Sequence, residues 1–511
     1  MKNKNMKRIG LTLLLAPWAI ACSSDYLDVP LQGKPTAASD PNFAQNLVIG
    51  VYNSLMSGES FGSAGDAHGF AFITATNILS DDAEKGSTPG DQAGTVGVFD
   101  NFSLTPTNVF VEALWAGYFN GIAKTNQALQ AIEQSNLNTN TKNRLAGEVR
   151  VIRAYYYFNL VRWFGGVPRI TRVPANVQDA NTDPAFKTRA SEEEIYQLIQ
   201  EDLQFGVQNL PLRNQTQAGR MSKGTAQALL AKVSMYRKDW ATASAQAREV
   251  IQSGQYRLLD DYSQIWRQAG DNSSEAIFEI QTGQFNNSDF GINAYSMCQG
   301  PRVGGRGGWT DLGWGFGTPS QSLADAYEPG DVRKNSTIIF IDNSGKFKGT
   351  ILFDGFRIPS ADSVENLRYN YKAYHSENKN VESYLGNRDR KQKNVHLLRL
   401  GELYLIQAEA ALELNQFGEA ENALNIVRKR AGLAPVSGLG KEQLREAIWK
   451  ERRVELAMEH DRFFDLVRQG RAASVLQAQG KNFVAGKHEK LPVPAVQIAL
   501  SGGTLTQNPG Y

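Results

Sequence analysis

Glu148-Val-Arg-Val-Ile-Arg-Ala-Tyr-Tyr-Tyr-Phe-Asn-Leu-Val-Arg-Trp-Phe-Gly-Gly-Val-Pro168 is the stretch whose reading decides the fold. Its apolar residues recur at helical spacing, and with the residues before it the pattern predicts a helix from Thr141 to Phe164. On a wheel of that helix Arg153 falls in the middle of the face made by Ala146, Val149, Tyr156, Tyr157, Leu160 and Phe164. A lone ion on such a face costs several kcal/mol, so Arg153 needs a carboxylate partner. Four acidic residues sit on apolar helix faces elsewhere. Glu402 and Glu409 share a face with Leu398, Leu405 and Leu412, and Glu451 and Glu455 share one with Leu444, Ile448, Val454 and Met458. The expectation is that Arg153 meets at least one of these four across a helix interface.

Working outward, most of the chain reads the same way. Helices are expected at Asn108 to Gln134, Ser191 to Asn209, Ser222 to Tyr236 and Trp240 to Ser253, then at His396 to Leu414, Phe417 to Ala431 and Lys441 to Gln469. Short links make neighbours antiparallel pairs. Two pairs align without a gap: Ala231-x4-Tyr236-x3-Trp240-x2-Ala243 and Ala408-x4-Glu413-x3-Phe417-x2-Ala420. Small residues there permit close helix approach, and an aromatic is placed to fill the hairpin corner, which is the physics of a tetratricopeptide repeat. The fold expected is mainly α, a scaffold of tetratricopeptide-like hairpins.

Between Gln255 and Asn394 the helical period fades and a long irregular region with short strands is expected, one of them at Ala276 to Ile280. Gly300 to Gly317 holds eight glycines in eighteen residues, together with Trp309, Trp314 and Phe316, so its backbone is free while its side chains are large. A second irregular stretch runs from Gly58 to Phe102. Loops this long inside a compact protein are usually functional. The other tryptophans, Trp115, Trp163, Trp240, Trp266 and Trp449, read as packing residues.

The chain opens with Lys2, Lys4, Lys7 and Arg8, an apolar run from Ile9 to Ile20, and Ala19-Ile20-Ala21-Cys22. The run is too short to span a bilayer, which takes about 20 apolar residues. Small residues before a cysteine read as a leader over residues 1–21 and lipid attachment at Cys22. Cys298 is the one other cysteine, so no disulfide framework is expected. Removing four basic residues with the leader brings the charge from +2 to about −2, which gives no general attraction to nucleic acid. Residues 22–254 form an N-terminal helical region. Residues 255–511 form a C-terminal region with the loop-rich insertion 255–394 and closing helices.

Catalytic patterns are absent or weak. There is no GxxxxGK[ST] and no HExxH. Gly313-x-Gly315-x-Gly317 lacks the strand before and helix after that a dinucleotide fingerprint needs. His68, His375, His396, His460 and His488 are scattered, and no cofactor or metal is implied. Asp81-Asp82 is expected to be a better exposed carboxylate pair, but adjacent residues of an extended segment point apart.

The opening stretch resembles the best-known signature of the SusD/RagB outer-membrane lipoproteins. Ser222 to Ala231, Leu398 to Ala410, Leu424 to Gly432, Lys450 to Arg468 and Leu505 to Tyr511 are similar to further family blocks, in the family's order. His460 stands where glycine is more usual. The resemblance implies a cell-surface, lipid-anchored protein with tetratricopeptide-like helix pairs. Such proteins form a lid over a SusC-like TonB-dependent transporter, capture oligosaccharides and deliver them for import, without enzymatic activity. A peptide-binding member is the second reading, and a glycan hydrolase using Glu451 or Asp81 a third.

A sugar ring presents an apolar face and a rim of hydroxyls, so its site needs flat aromatic platforms edged by planar polar groups. Trp309, Trp314 and Phe316 are placed either to stack or to plug the loop onto the scaffold, the latter preferred for Phe316 and for Phe70, with Arg302, Arg306 and Asp311 to take hydroxyls and Tyr295 just upstream. Phe61, His68 and Phe70 are the expected contributors from the other irregular stretch.

Overall fold

The computed structural model of the chain describes residues 40, 42–56, 67–282, 295–305, 312–343, 349–353, 355–375 and 393–511. Its long helices are α1 (Phe43–Met56), α2 (Val109–Gln134), α3 (Thr139–Phe164), α4 (Glu192–Asn209), α5 (Lys223–Tyr236), α6 (Trp240–Gln252), α7 (Leu400–Glu413), α8 (Phe417–Arg430) and α9 (Lys441–Glu455). Short polar side chains start several of them. Asn108 accepts from the amides of Phe110 and Val111, Asn138 from Thr141, and Asp239 from Thr242, while Ser191 and Glu194 close a reciprocal capping box. Each such cap is worth about 1 kcal/mol.

The signature helix α3 packs against both α2 and α4. Every residue from Val151 to Pro168 is buried, which explains why no polar face is visible in its sequence. Arg153 is buried and paired, as its place on the wheel requires, but its partner corrects the expectation. Asp202 of α4 takes Nε and Nη2 at 2.7 and 2.8 Å, and Asn126 of α2 takes Nη1.

The two aligned repeats are hairpins α5/α6 and α7/α8, and α6 packs on α7 so that they stack. Ala231, Ala243, Ala408 and Ala420 are all fully buried at the close approaches. The likeness extends to the turns. Lys238 and Asn415, at the same repeat position, both take left-handed φ, 58° and 61°. The amides of Asp239 and Gln416 then close onto the carbonyls of Ser234 and Ala411. The corner aromatics are less alike: Trp240 is part-buried, whereas Phe417 is 39 % exposed and does not fill its corner.

Two expected helices are shorter than read. Val395–Arg399 is a strand, β8, and α7 starts only at Leu400. Four or five apolar-rich residues do not distinguish strand from helix by period alone, and here the strand at Ala276–Ile280, β2, supplies an antiparallel partner. The helix from Lys441 stops at Glu455, because Met458 and His460 take left-handed φ of 63° and 74° before a new helix at Arg462–Arg468.

The remaining strands are short antiparallel pairs: β1 (Ala83–Gly86) with β3 (Phe316–Pro319), β4 (Ile338–Phe340) with β7 (Arg368–Asn370), and β5 (Thr350–Ile351) with β6 (Arg357–Ile358). The irregular region has its own small core of Val303, Leu312, Ile339, Ile341, Leu352, Ile358, Val364, Tyr369 and Tyr374. Cys298 is buried, with its Sγ 3.6 Å from the Tyr295 carbonyl.

The carboxylates expected to need partners have them. Glu455, fully buried, meets Arg399 and Arg430 through one oxygen and Arg333 through the other. Glu451 pairs with Arg333 and Arg428, Glu402 with Arg452 and Lys232, and Glu409 with Arg468. Burial alone would raise the pKa of Glu455, but Arg430, Arg399 and Arg333 hold it well below the ordinary carboxylate range. Asp81 and Asp82 are not an exposed pair. They are 2 % and 1 % exposed, both are bound by Arg453, and Arg462 also holds Asp81.

Glu455→Gln removes the charge that three guanidiniums share. We expect it to destabilise the chain by about 3–5 kcal/mol, the cost of breaking a buried pair, measured as a lower midpoint in urea. A second outcome follows from the histidines. Burial lowers the His68 and His460 imidazoles from 6.5 to about 3 and about 4. The unfolded chain therefore takes up these protons first. Their contribution is full above 6.5 and is lost as pH falls through 4 and 3. The thermal midpoint should drop from pH 6.5 to 4, and less steeply in His68→Gln, by calorimetry at stepped pH.

Candidate functional site

Trp314 is fixed from its backbone outward. The short helix Tyr295–Cys298 leads into the glycine-rich loop, whose return strand is β3. The Trp314 amide donates to the Met297 carbonyl at 2.8 Å and the Gly315 amide to Gly300 at 2.9 Å. The Gly315 carbonyl accepts from Ser87, just past β1, at 2.6 Å. Gly315 has φ of 77°, and a Cβ there would lie 2.9 Å from the Arg302 Cβ, so glycine is required both by conformation and by space.

The Trp314 side chain is half-buried and stands edge-on to Phe70, centroids 5.9 Å apart. Phe70 in turn packs on Phe316 at 4.8 Å and Phe110 at 5.1 Å. Around this aromatic stack lies a polar rim. Arg302 pairs with Asp91 at 2.8 Å, and their side chains are 27 % and 24 % exposed. Ser87 Oγ donates to Asp91, and Lys85 Nζ donates to the carbonyls of Thr88 and Asp91. Lys85 Nζ also lies 5.5 Å from the Phe316 ring centre. Two buried polar atoms here have no hydrogen-bond partner among the described residues: Arg302 Nε and Asn366 Oδ1. Asn366 Oδ1 would be 3.4 Å from a Cβ on Gly315, so it sits directly beside the Trp314 loop. A buried donor and acceptor left open in this way call for an ordered water between them and their surroundings.

Lys85 also borders an open hollow of about 520 Å³ lined with Glu84, Pro89, Gly97, Asp100 and Lys481. A separate cavity of about 260 Å³, lined with Arg213, Gln217, Tyr256, Asn272 and Gln281, offers no aromatic face, because its Tyr256 and Phe278 are covered.

The structure thus brings together Trp314 and Arg302 of the residues expected from sequence. Phe70 and Phe316 are each 2 % exposed and form the floor beneath Trp314 rather than a platform. His68 is withdrawn from the set. It is fully buried, with Nδ1 at 2.8 Å from the Leu55 carbonyl and Nε2 at 2.8 Å from the Tyr155 hydroxyl. Tyr295 is part-buried and its hydroxyl turns inward to His460 Nε2 at 2.7 Å, so it supports the loop from behind. Trp309, Arg306, Asp311, Phe61 and Cys22 lie outside the described residues. Sequence reading missed Asp91, Ser87 and Lys85, although they lie in the irregular stretch already singled out. Nothing in the sequence marked Asn366. The carboxylates considered for hydrolysis, Glu451 and Asp81, are both buried in ion pairs.

Comparison with known proteins agrees with this architecture. Residues 274–511 match the family described as the SusD family, and residues 73–235 match the one described as starch-binding, associating with outer membrane. SusD-like protein P2 of Formosa agariphila is 29 % identical over 448 residues, spanning 83 % of this chain and 85 % of that one. A laminarin binding SusD-like protein of known structure is 30 % identical, covering 92 % of this chain and 99 % of its own, with a TM-score of 0.73. Surface glycan-binding protein A from Bacteroides fluxus is 25 % identical, with 92 % and 99 % coverage and a TM-score of 0.74. With both halves matched by family models and a relative this similar along nearly its whole length, the chain belongs to the SusD family.

Proposed function

We propose that this chain is a surface lipoprotein, acylated at Cys22, that captures oligosaccharides at the Trp314 shelf and passes them to a SusC-like TonB-dependent transporter. The observation that carries this reading is the half-buried tryptophan edged by the part-exposed Arg302–Asp91 pair. A sugar's C–H face covers the indole while its hydroxyls meet the part-exposed guanidinium and carboxylate of the Arg302–Asp91 pair. Asp91 and Lys85 extend the polar rim toward the neighbouring hollow. In this reading residues 255–394 carry Trp314, Arg302 and Asn366, the irregular stretch of 22–254 supplies Lys85, Ser87 and Asp91, and the helices of 22–254 and the C-terminal end form the platform. The ligand leaves chemically unchanged, because the acidic residues of the scaffold are committed to arginines rather than to a reacting bond. The similarity to a laminarin-binding relative makes laminarin oligosaccharides the first class to try.

Titration calorimetry against a panel of laminarin and other oligosaccharides should show binding that weakens about tenfold or more in Trp314→Ala, 1.4 kcal/mol or above. Trp449→Ala, in α9 and donating to Glu409, should leave it unchanged. Heat with peptides and none with any glycan would replace this reading by peptide capture. For the anchor, cells fed an alkyne-tagged fatty acid should label the exported chain, and Cys22→Ser should abolish the label. Among the described residues no helix is long and apolar enough to cross a membrane.

A further inference from the structure

The turn between α9 and the helix Arg462–Arg468 sends three consecutive side chains in three directions. Glu459 goes to Arg399 and Lys372, Asp461 to Arg162 and Lys232, and His460 between them to the site. His460 is held at φ of 74°, a backbone that suits glycine and strains a histidine. The strain is retained because both ring nitrogens are engaged. Nδ1 lies 2.7 Å from Thr76 Oγ1 and Nε2 lies 2.7 Å from the Tyr295 hydroxyl. The ring also packs on Phe72 at 4.5 Å.

Both partners lead into the site. Thr76 lies in a single π-helical turn, Thr74–Ile78, a rare backbone form often found beside functional sites. That turn runs into β1 and the Ser87–Asp91 rim. Tyr295 begins the short helix whose Met297 carbonyl holds the Trp314 amide, and its own carbonyl accepts from Gln299, which is tied to Asn370 of β7. The side chain of His460 therefore joins the two segments that feed β1 and β3, the strands on which the shelf is built.

We infer that His460 is a positioning residue for the glycan shelf: it ties the Trp314 loop, through Tyr295, to the π-helical turn and the ion-paired scaffold behind it. The inference rests on the reading of Trp314 as the ligand platform, so its test includes a measurement that needs no ligand.

That measurement is amide hydrogen exchange on the full chain in the unliganded state, comparing His460→Asn, Tyr295→Phe and the double variant. Asparagine tolerates left-handed φ and retains a polar atom near Nδ1, but cannot reach Tyr295. Tyr295→Phe keeps the ring and removes only the hydroxyl. Each single variant should speed exchange at Gln299, Gly300, Trp314 and Gly315 while α7 and α8 stay protected. The double variant should match the singles. Glycan affinity should fall about three- to tenfold in each, as for one lost hydrogen bond. Unchanged exchange at Trp314 and Gly315, or a loss that spreads evenly into α7 and α8, would overturn the inference and leave His460 as an ordinary core residue. If the parent protein binds no glycan at all, the exchange pattern still decides the role of His460, and only the proposed ligand class fails.

Discussion

Glu455 and the guanidiniums around it set the constraint on which the rest of the structure depends. One carboxylate of α9 is shared by Arg399 at the end of β8, Arg430 at the end of α8 and Arg333 of the irregular region. Glu275 joins the same cluster through Arg399 and Arg430. A charge buried this deeply is tolerable only while every partner is in place, so helix, strand and loop arrive in one arrangement or the chain carries an uncompensated ion. Well-packed apolar residues would give comparable stability. What they would not give is this exclusivity, since apolar faces can slide and a set of forked hydrogen bonds cannot. The irregular region, whose short strands pair only two at a time, gains its fixed seat on the helices in this way.

That exclusivity also explains what was legible in the sequence. Helix existence and the hairpin repeat follow from local spacing, and so did the need of Arg153, Glu402, Glu409, Glu451 and Glu455 for partners. Partner identity did not. Asp202 is one of several acids on the next helix, and only the packing of α4 on α3 brings it to Arg153. The break after Glu455 was equally hidden. It is made by Met458 and His460 in left-handed backbone, without the glycine or proline that would signal it. Asp81 and Asp82 looked solvent-bound for the same reason: Arg453 and Arg462 lie some 370 residues away.

The site was legible to the extent that its chemistry was concentrated in sequence. Trp314 and Arg302 belong to one glycine-rich segment, and the indole's need for backbone freedom beside it is written in Gly313 and Gly315. Asp91, Ser87 and Asn366 come from two other segments and are brought to it by β1 pairing with β3, by the Arg302–Asp91 ion pair and by the loop around Glu365, whose amide donates to the Arg302 carbonyl. His68 misled because a histidine in an irregular stretch resembles a ligand contact. Its surroundings, Leu55, Phe72, Tyr118 and Tyr155, are those of a core.

The division of labour between scaffold and shelf has a further consequence. The bonds that place Trp314 run from backbone to backbone, from its own amide, from Gly315 and from Ser87. They demand glycine at one or two positions and are backed by the side-chain tie of Tyr295 to His460. The scaffold is the reverse: its fixed points are side chains, Glu455 and Arg399 above all, and few could be exchanged alone. A surface built so can change Trp314 or Asn366, and with them the ligand proposed for it, while no buried charge loses its partner. Preorganisation by the backbone then lets each new set of side chains bind without first ordering the loop that carries it.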